Sequence, residues 1–486
     1  MKNEIKQLAV NLQKQGGRAF LVGGSVRDML LGKTPDNYDI EVYGLSLSEL
    51  KKILSQFGTV SEVGKSFGVL KLTTNSRPRR SGKWIEIDVS VPRIEKKSGK
   101  GHRGFKVQTI GDLDITKALL RRDFTINSMA YDPLTKELSD PFGGQKDLKN
   151  KILRVTNSKT FAEDPLRVLR AMQFVSRFNL KIAPQTAKII SKAVPSVIEL
   201  PKERVWQEWR KLILKSKKPS LGIDAGMKLR VFKVLHPQFL PLVRTKQEPT
   251  WHSEGNVWVH SLKAIDNGVE IAGSESLEQS QKLTLALAAF CHDIGKATTT
   301  KKMGGKIRSL GHAAAGEAPT KDFLQQIGAD KKTISQVAKL VVLHMKQFGF
   351  YHRERHGQAV PSTKIYELAD ELDKVGLNID FLILLSRVDF YAKGGTAGKK
   401  HMEGEWLKRQ AKKLGVLYKP AGDVVRGEDL INLDLKPGKQ FGQIIKLSNR
   451  LHREKGYSQE RIIALISKLA QNKKVITNSL SFILNS

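Results

Sequence analysis

The chain carries one cysteine in 486 residues, and that scarcity sets its first limit. No intramolecular disulfide can form, which fits a reducing, cytoplasmic location. Cys291 sits in an apolar stretch, LALAAFCHD, and reads as buried filler rather than as a nucleophile. Long apolar runs are also missing. The longest, residues 283–291, falls far short of the ~20 residues of a spanning helix. The first seventeen residues are broken by charges throughout, giving an amphipathic helix pattern and not a signal peptide. Acids are outnumbered, 48 against 83 Lys and Arg, for a net charge of +35. Such an excess calls for a polyanionic partner, and with no apolar anchor nucleic acid is favoured over a membrane.

What is present is ample apolar material, 40% of residues, in a chain whose length suggests about three domains. Residues 1–140 alternate helix and strand patterns, with strands expected at 19–22, 38–43, 69–73 and 84–89. Residues 93–104, RIEKKSGKGHRG, are basic and glycine-rich and read as a loop, either closing over a polyanion or simply solvated. From residue 162 onward strand signals nearly vanish and helical periodicity takes over. Joints are expected at 140–144 (DPFGG), 245–249 (TKQEP) and 393–399 (KGGTAGK). There is no internal repeat.

The stretch 21–44, LVGGSVRDMLLGKTPDNYDIEVYG, reads as strand, glycine turn, helix, loop and a second strand bearing acids. Gly23 and Gly24 let backbone N–H groups approach a phosphate, and Ser25 offers a hydroxyl at the positive helix end. Asn37, Asp39 and Glu41 share one strand face by their spacing of two. An ordinary strand–helix start with solvated acids fits the same residues. Asp88 lies on the strand of WIEIDVSVPR (84–93), with Glu86 on its face. In RRDFTINSMA (121–130) two guanidiniums flank a carboxylate, a set suited either to phosphate or to a solvated charged face. In EDPLRVLRAMQF (163–174), Asp164 before Pro165 is a helix N-cap pattern. Asp164 and Arg167, three apart, also present an acceptor and a planar donor fork suited to a nucleobase edge.

Taken in order, GGSVRD, NYDIEV, IDVSVPR, RRDFTINSMA, DPFGG and EDPLRVLRAMQF resemble the class II tRNA nucleotidyltransferase and bacterial poly(A) polymerase family. The resemblance implies an α+β fold. A head like the catalytic module of DNA polymerase beta (mixed sheet with helices) is followed by an all-helical neck, body and tail. It implies addition of C and A from CTP and ATP to an RNA 3′ end, with Mg²⁺ at Asp39 helped by Asn37, Asp88 or Glu41. Gly23, Gly24, Ser25 and Arg27 would hold the triphosphate. Arg122, Asp123 and Asn127 would order ribose and phosphates, and Asp164 and Arg167, with Arg170 beside them, would bind and select the incoming base. KERVWQEW (202–209) resembles the last helical motif of the family, where Arg204 would touch RNA or phosphate; a surface helix fits equally. One departure stands out. Asn37 occupies a position where the family carries aspartate, and an amide is a poorer Mg²⁺ ligand than a carboxylate. Slow transfer is therefore expected.

A second constellation runs WHSEGNVWVHSL (251–262), FCHDIGKA (290–297), GHAAAG (311–316), VVLHM (341–345) and LSRVDFYAKG (385–394). An adjacent His-Asp with distant histidines and a late aspartate resembles the HD phosphohydrolase superfamily. The resemblance implies one divalent metal (Mg²⁺, Mn²⁺ or Ni²⁺) on His260, His292, Asp293 and Asp389. It places His312 and His344 at a second metal or a phosphate, and Lys296 on a phosphate. The expected domains are the nucleotidyltransferase head at 1–140, neck and body at 141–245, HD domain at 246–395 and a basic helical tail at 396–486 suited to a tRNA acceptor arm. The expected function is CCA addition or repair on tRNA, with the HD site trimming terminal or 2′,3′-cyclic phosphates. A poly(A), A-only or CC-only enzyme, or an RNA-binding protein with a retired transfer site, are the alternatives. Oligomeric state is left open.

Overall fold

The computed structural model describes residues 3–35, 37–63, 68–74, 86–97, 105–109, 113–250, 252, 254–394, 401–471 and 476–485. The chain divides into two compact units, Met1–Leu240 with Gln326–Gly328, and Pro241–Gln325 with Ala329–Ser486.

The first unit opens with α1 (Asn3–Lys14), β1 (Arg18–Val22), α2 (Gly24–Leu30), β2 (Tyr38–Tyr43), α3 (Leu47–Leu54), β3 (Gly58–Val63), β4 (Val69–Thr74) and β5 (Glu86–Ser90). β6 (Arg93–Lys97), β7 (Phe105–Thr109), α4 (Ile115–Leu120), β8 (Ala130–Tyr131) and β9 (Leu138–Ser139) complete its sheet region. Seven strands form a sheet in the order β3-β4-β5-β2-β1-β8-β9. Within it β2 and β5 run parallel, and every other neighbouring pair is antiparallel.

The period of two sorts the strand residues cleanly. Leu21 of β1, Tyr38, Ile40 and Val42 of β2, and Ile87 and Val89 of β5 pack with Ile5, Leu8 and Leu12 of α1 and Leu50 and Leu54 of α3 in one core. Asp39, Glu41 and Asp88 therefore project from the opposite face, where Phe20, Val22, Leu119 and Ala130 form a smaller apolar cluster. Burying the first face fixes the register that brings the acids together. Parallel pairing sets Asp39 directly beside Asp88.

Two expectations for this region need correction. Residues 93–97 of the expected loop are the strand β6, paired with β7, for which no strand was expected; residues 98–104 lie outside the described residues. The strand expected at 84–89 runs from Glu86 to Ser90, and residues 84 and 85 are outside the description.

Helices then take over: α5 (Gly144–Lys149), a short β10 (Ile152–Leu153), α6 (Leu166–Phe178), β11 (Lys181–Ile182), α7 (Pro184–Ala193), α8 (Lys202–Leu214), α9 (Ser220–Lys228) and α10 (Val231–Leu235). α6 packs on α8 and α9 and buries Val168, Leu169, Met172 and Val175, leaving Arg167 and Arg170 toward the cleft described below. Asn179 stops α6 in a left-handed conformation, φ 55°.

Among its described residues the second unit is helical apart from one hairpin and an isolated bridge between Lys246 and Asn256. Its elements are α11 (Val257–Ser274), α12 (Gln279–Cys291), α13 (Lys296–Thr299), β12 (Lys301–Met303), β13 (Lys306–Arg308), α14 (His312–Ala315), α15 (Glu317–Gln326), α16 (Lys331–Leu343), α17 (Lys346–Arg355), α18 (Ser362–Asp373) and α19 (Ile379–Ala392). α20 (Met402–Lys413), α21 (Gly427–Ile431), α22 (Lys439–Lys455), α23 (Gln459–Gln471) and α24 (Ile476–Asn485) follow. α12 lies at its centre between α11, α16 and α19, and every residue from Leu283 to Cys291 is buried. Among the described residues no helix is long and apolar enough to cross a membrane.

Candidate functional sites

The first site grows from the turn between β1 and α2. Gly23 adopts φ 63°, and a side chain there would collide with Nη1 of Arg122 at 2.6 Å. Oδ2 of Asp39 stands beside the same turn, 3.6 and 3.7 Å from where side-chain carbons at Gly23 and Gly24 would sit. Ser25 is buried and turned away from the cleft: its hydroxyl accepts from the Asp39 N–H at 2.7 Å and reaches the Asn37 carbonyl at 3.4 Å. It clamps β2 to the turn, a placement different from the phosphate contact expected of it.

A cleft of about 370 Å³ opens in front of this turn. Arg27, Arg121, Arg122, Arg167, Arg170, Arg177, Lys211 and Lys215 line it against three acids, Asp39, Asp123 and Asp164. A polar chain braces its floor. Arg177 pairs with Asp28 at 3.3 Å, Asp28 with Arg27 at 2.8 Å, and Arg27 donates to Asn127 at 2.6 Å. Asn127 donates to Asp123 at 2.9 Å, and Arg170 reaches Asp123 at 2.6 Å. Burial pushes the Asp123 carboxyl up, but Arg170, Asn127 and the Phe124 N–H outweigh it and hold the group below its usual range.

The carboxylates behave differently. Asp39 is pushed up by burial and by Asp88, against Arg122, and Asp88 is pushed up by burial and by Glu86, against Lys71. Two adjacent acids that resist ionisation together are what a divalent cation relieves, so the pair fits Mg²⁺. Glu41 is placed otherwise. It is buried, and its carboxylate takes Arg121 at 3.0 Å, Arg122 at 3.3 Å and the Tyr43 hydroxyl at 3.3 Å. Asn37 is exposed in the bend before β2, and neither it nor Asp88 lines the cleft itself; Asp36 is outside the description.

Asp164 and Arg167 both line the cleft. Asp164 is not the N-cap of α6, a place taken by Pro165, but it accepts from the Leu166 N–H at 3.2 Å and so braces the start of the helix while facing the cleft. Arg167 is held by the carbonyls of Thr160 at 3.0 Å and Arg121 at 2.8 Å. Arg204 stands 3.8 Å from Asp164. Gln173, to which the sequence reading gave no role, is buried on the cleft wall with its Nε2 unpartnered, as is Nε of Arg122. Its only signal was its place between Arg170 and Arg177 at helical spacing.

The second site lies among α11, α12, α14, α16 and α19. His260, His292, Asp293, His312, His344 and Asp389 are all buried and face one another. Nε2 of His260 is 3.1 Å from Nε2 of His292 and 3.1 Å from Oδ1 of Asp389, an oxygen without a hydrogen-bond partner. Nε2 of His312 is 3.2 Å from Nε2 of His344 and 3.2 Å from Oδ1 of Asp293. The other oxygen of Asp293 approaches His292 at 3.4 Å and His260 at 3.6 Å, so this carboxylate joins the two clusters.

The Nδ1 atoms explain the orientation. His260 gives Nδ1 to Glu254 at 2.7 Å, His292 to the Ala289 carbonyl at 2.8 Å, His312 to Ser309 at 2.7 Å and His344 to Val341 at 2.6 Å. With Nδ1 of each ring engaged elsewhere, the Nε2 atoms converge on the aspartates, which is the donor set a metal ion requires once any Nε2 proton leaves. Burial works to lower His292, but Asp293 and Asp389 overcome it and push it up to about 10; burial and the neighbouring imidazoles push His344 down to about 3. Lys296 pairs with Asp293 at 2.7 Å and Lys393 with Asp389 at 2.6 Å. Glu254 and Lys393 had no sequence-level assignment. Burial pushes the Cys291 thiol up, in keeping with filler. Trp251 is outside the description.

Residues 19–154 match the Poly A polymerase head domain, 179–242 the "Probable RNA and SrmB- binding site of polymerase A", and 257–375 the HD domain. A multifunctional CCA protein of Cupriavidus metallidurans is 30% identical over 398 residues, 80% of this chain and 88% of its own length. The chain belongs to the multifunctional CCA protein family. Another member of that family, from Tolumonas auensis, is 29% identical over 87% of this chain and 96% of the relative. The fold is that of solved CCA-adding enzymes. The Bacillus stearothermophilus enzyme in complex with CTP superposes with a TM-score of 0.62 at 20% identity, over 97% of this chain and 99% of that one. The Thermotoga maritima enzyme complexed with tRNA gives 0.57 at 21%, over 98% and 97%.

Proposed function

We propose that the chain adds C and A from CTP and ATP to the 3′ end of tRNA, and that its HD domain is a metal-dependent phosphohydrolase acting on RNA ends. The observation that carries the first part is Asp39 at the Gly23–Gly24 turn in an arginine-lined cleft, with Asp88 beside it in the strand register. Mg²⁺ held there would supply charge neutralisation at the α-phosphate and favour attack by an RNA 3′-hydroxyl.

The chain's own residues do the rest. Arg122 and Arg27, locked by Glu41 and Asn127, bind the triphosphate in a fixed geometry. Asp164 offers an acceptor and Arg167, anchored on two carbonyls, keeps donors for a base edge, which suits selection of C and A over U and G. In the HD cleft His260, His292 and Asp389 would hold one cation and His312 and His344 a second, with Asp293 shared. Such ions supply a hydroxide nucleophile at neutral pH. Lys296 pairs with the Asp293 oxygen that faces His292 and His260, Lys393 pairs with the Asp389 oxygen other than the one near His260, and both add positive charge where a phosphate would lie.

Incubation with tRNA lacking its 3′ end, with CTP and ATP offered separately and together, tests the transfer reading. Addition that stops after C, C and A is the expected product. An open-ended tail favours polyadenylation, and no incorporation favours a binding protein. Opening of a 2′,3′-cyclic phosphate to the monoester, or release of phosphate from a terminal monoester, in the presence of Mg²⁺, Mn²⁺ or Ni²⁺ tests the second part.

A further inference from the structure

Part of the wall of the cleft over the histidine–aspartate cluster comes from the segment ahead of α11, through Gln247, Glu248, Thr250 and His252. The foot of this segment is pinned to the start of α11. Lys246 forms an isolated antiparallel bridge with Asn256, the Val257 N–H donates to the Thr245 carbonyl at 3.0 Å, and Asn256 donates to the Val243 carbonyl at 2.9 Å. Glu248 ties the segment to the hairpin, accepting from the Ile307 N–H at 2.9 Å. Of residues 243–250 only Gln247 is buried, and an amide is an expensive group to bury in a loop.

The chemistry of its neighbour decides which way that amide points. Lys296 is buried too, and its Nζ pairs with Asp293 at 2.7 Å and donates to Oε1 of Gln247 at 2.9 Å. An ammonium can only donate, so the amide must turn its oxygen to Lys296 and its N–H₂ group the other way. Nε2 of Gln247 is enclosed and has no hydrogen-bond partner. An idle buried donor destabilises the fold unless an acceptor enters, and the surroundings specify the sign of that acceptor. Lys296, Lys393 and His312 line the same cleft, so an oxyanion is the group that suits it.

We infer that Gln247 is a substrate-binding residue of the HD site, its Nε2 donating to a non-bridging phosphate oxygen while its Oε1 holds Lys296. The inference rests on the phosphohydrolase reading and adds to it a residue that touches the substrate. A fixed amide donor beside a fixed ammonium gives the phosphate an orientation that a single flexible lysine does not.

The test is equilibrium binding of inorganic phosphate, followed by calorimetry in the full-length protein at saturating Mg²⁺. The parent is compared with Gln247→Leu, Lys296→Met and the variant carrying both, and Asp293→Asn reports phosphate held elsewhere in the chain. Gln247→Leu should weaken binding at the HD site about tenfold, and adding it to Lys296→Met should weaken binding about tenfold further. Mg²⁺ affinity in Gln247→Leu should stay within about twofold of the parent, with an unchanged circular dichroism spectrum. Gln247→Glu, which keeps an oxygen for Lys296 and removes the donor, should also lose phosphate affinity and stands in if the leucine variant does not fold. A double variant no weaker than Lys296→Met overturns the contact and leaves Gln247 as a brace for Lys296 alone. Parental phosphate affinity in Gln247→Leu, a loss that merely tracks lost Mg²⁺, or a parent that binds no phosphate at this site overturns it as well. A parent that hydrolyses no phosphate ester, yet loses phosphate affinity on Gln247→Leu, overturns the phosphohydrolase reading and leaves the contact standing.

Discussion

At the scale of single residues, the account turns on which side chains are free to hold a ligand and which are already engaged. Glu41 shares the strand face of Asp39, yet two arginines and a tyrosine hydroxyl occupy it, so it serves the cleft by holding Arg121 and Arg122. Asn37 stands in the exposed bend ahead of β2, while Asp88 stands directly beside Asp39. Asn37→Asp should therefore change the rate of nucleotide incorporation at saturating Mg²⁺ by less than about threefold. A rise of about tenfold or more would make residue 37, and not Asp88, the second ligand position.

His292 gives a pH prediction. Its proton, held up to about pH 10 in the metal-free protein by Asp293 and Asp389 against the effect of burial, must leave when a metal binds. Metal affinity should climb as pH rises from 6 toward 9, with proton release detectable by calorimetry in buffers of different ionisation enthalpy. Affinity independent of pH would contradict this. The same raised value means that the protonated pairing stabilises the metal-free fold fully below about pH 6.5, and that this contribution fades as pH rises toward 10. The residue types of both sites were legible in the sequence because chemistry demands them at fixed spacing. Glu254, Lys393 and Gln173 were not, since each acquires its role only when a distant backbone brings it alongside a site residue.

At the scale of elements, the β1–α2 turn and the β2–β5 pairing position the transfer site. Gly23 and Gly143 both have positive φ, 63° and 72°, so alanine strains the backbone at either. Only at residue 23 would the added carbon strike Arg122, whereas nothing lies within 4 Å at residue 143. Gly23→Ala should lower nucleotide incorporation more than about tenfold, and Gly143→Ala less than about threefold, with both proteins folded by circular dichroism. Equal losses would assign the effect to backbone strain alone. β1, β2, β4 and β5 were legible as strand patterns, the last through its apolar alternation. The sequence concealed β6 and β7 because their lysines and nearby glycines have loop composition, and the pairing between them is what makes them strands.

At the scale of the whole molecule, two compact units each carry one site. Asp293→Asn should abolish phosphate release and leave nucleotide addition within about twofold of the parent, and Asp39→Asn should do the reverse. Burial pushes His236 of the first unit down to about 4, so its neutral form stabilises the fold above about pH 6.5 and that stability is lost as pH falls toward 4. The charge of +35 explains why RNA affinity should fall steeply with salt. The most direct test of the central claim is Mg²⁺-titrated incorporation of CMP into tRNA lacking its 3′ end, by the parent and by Asp39→Asn and Asp88→Asn. The account predicts that either substitution lowers the rate at least about a hundredfold and raises the Mg²⁺ requirement. Incorporation by Asp88→Asn at the parental rate and Mg²⁺ requirement would contradict it.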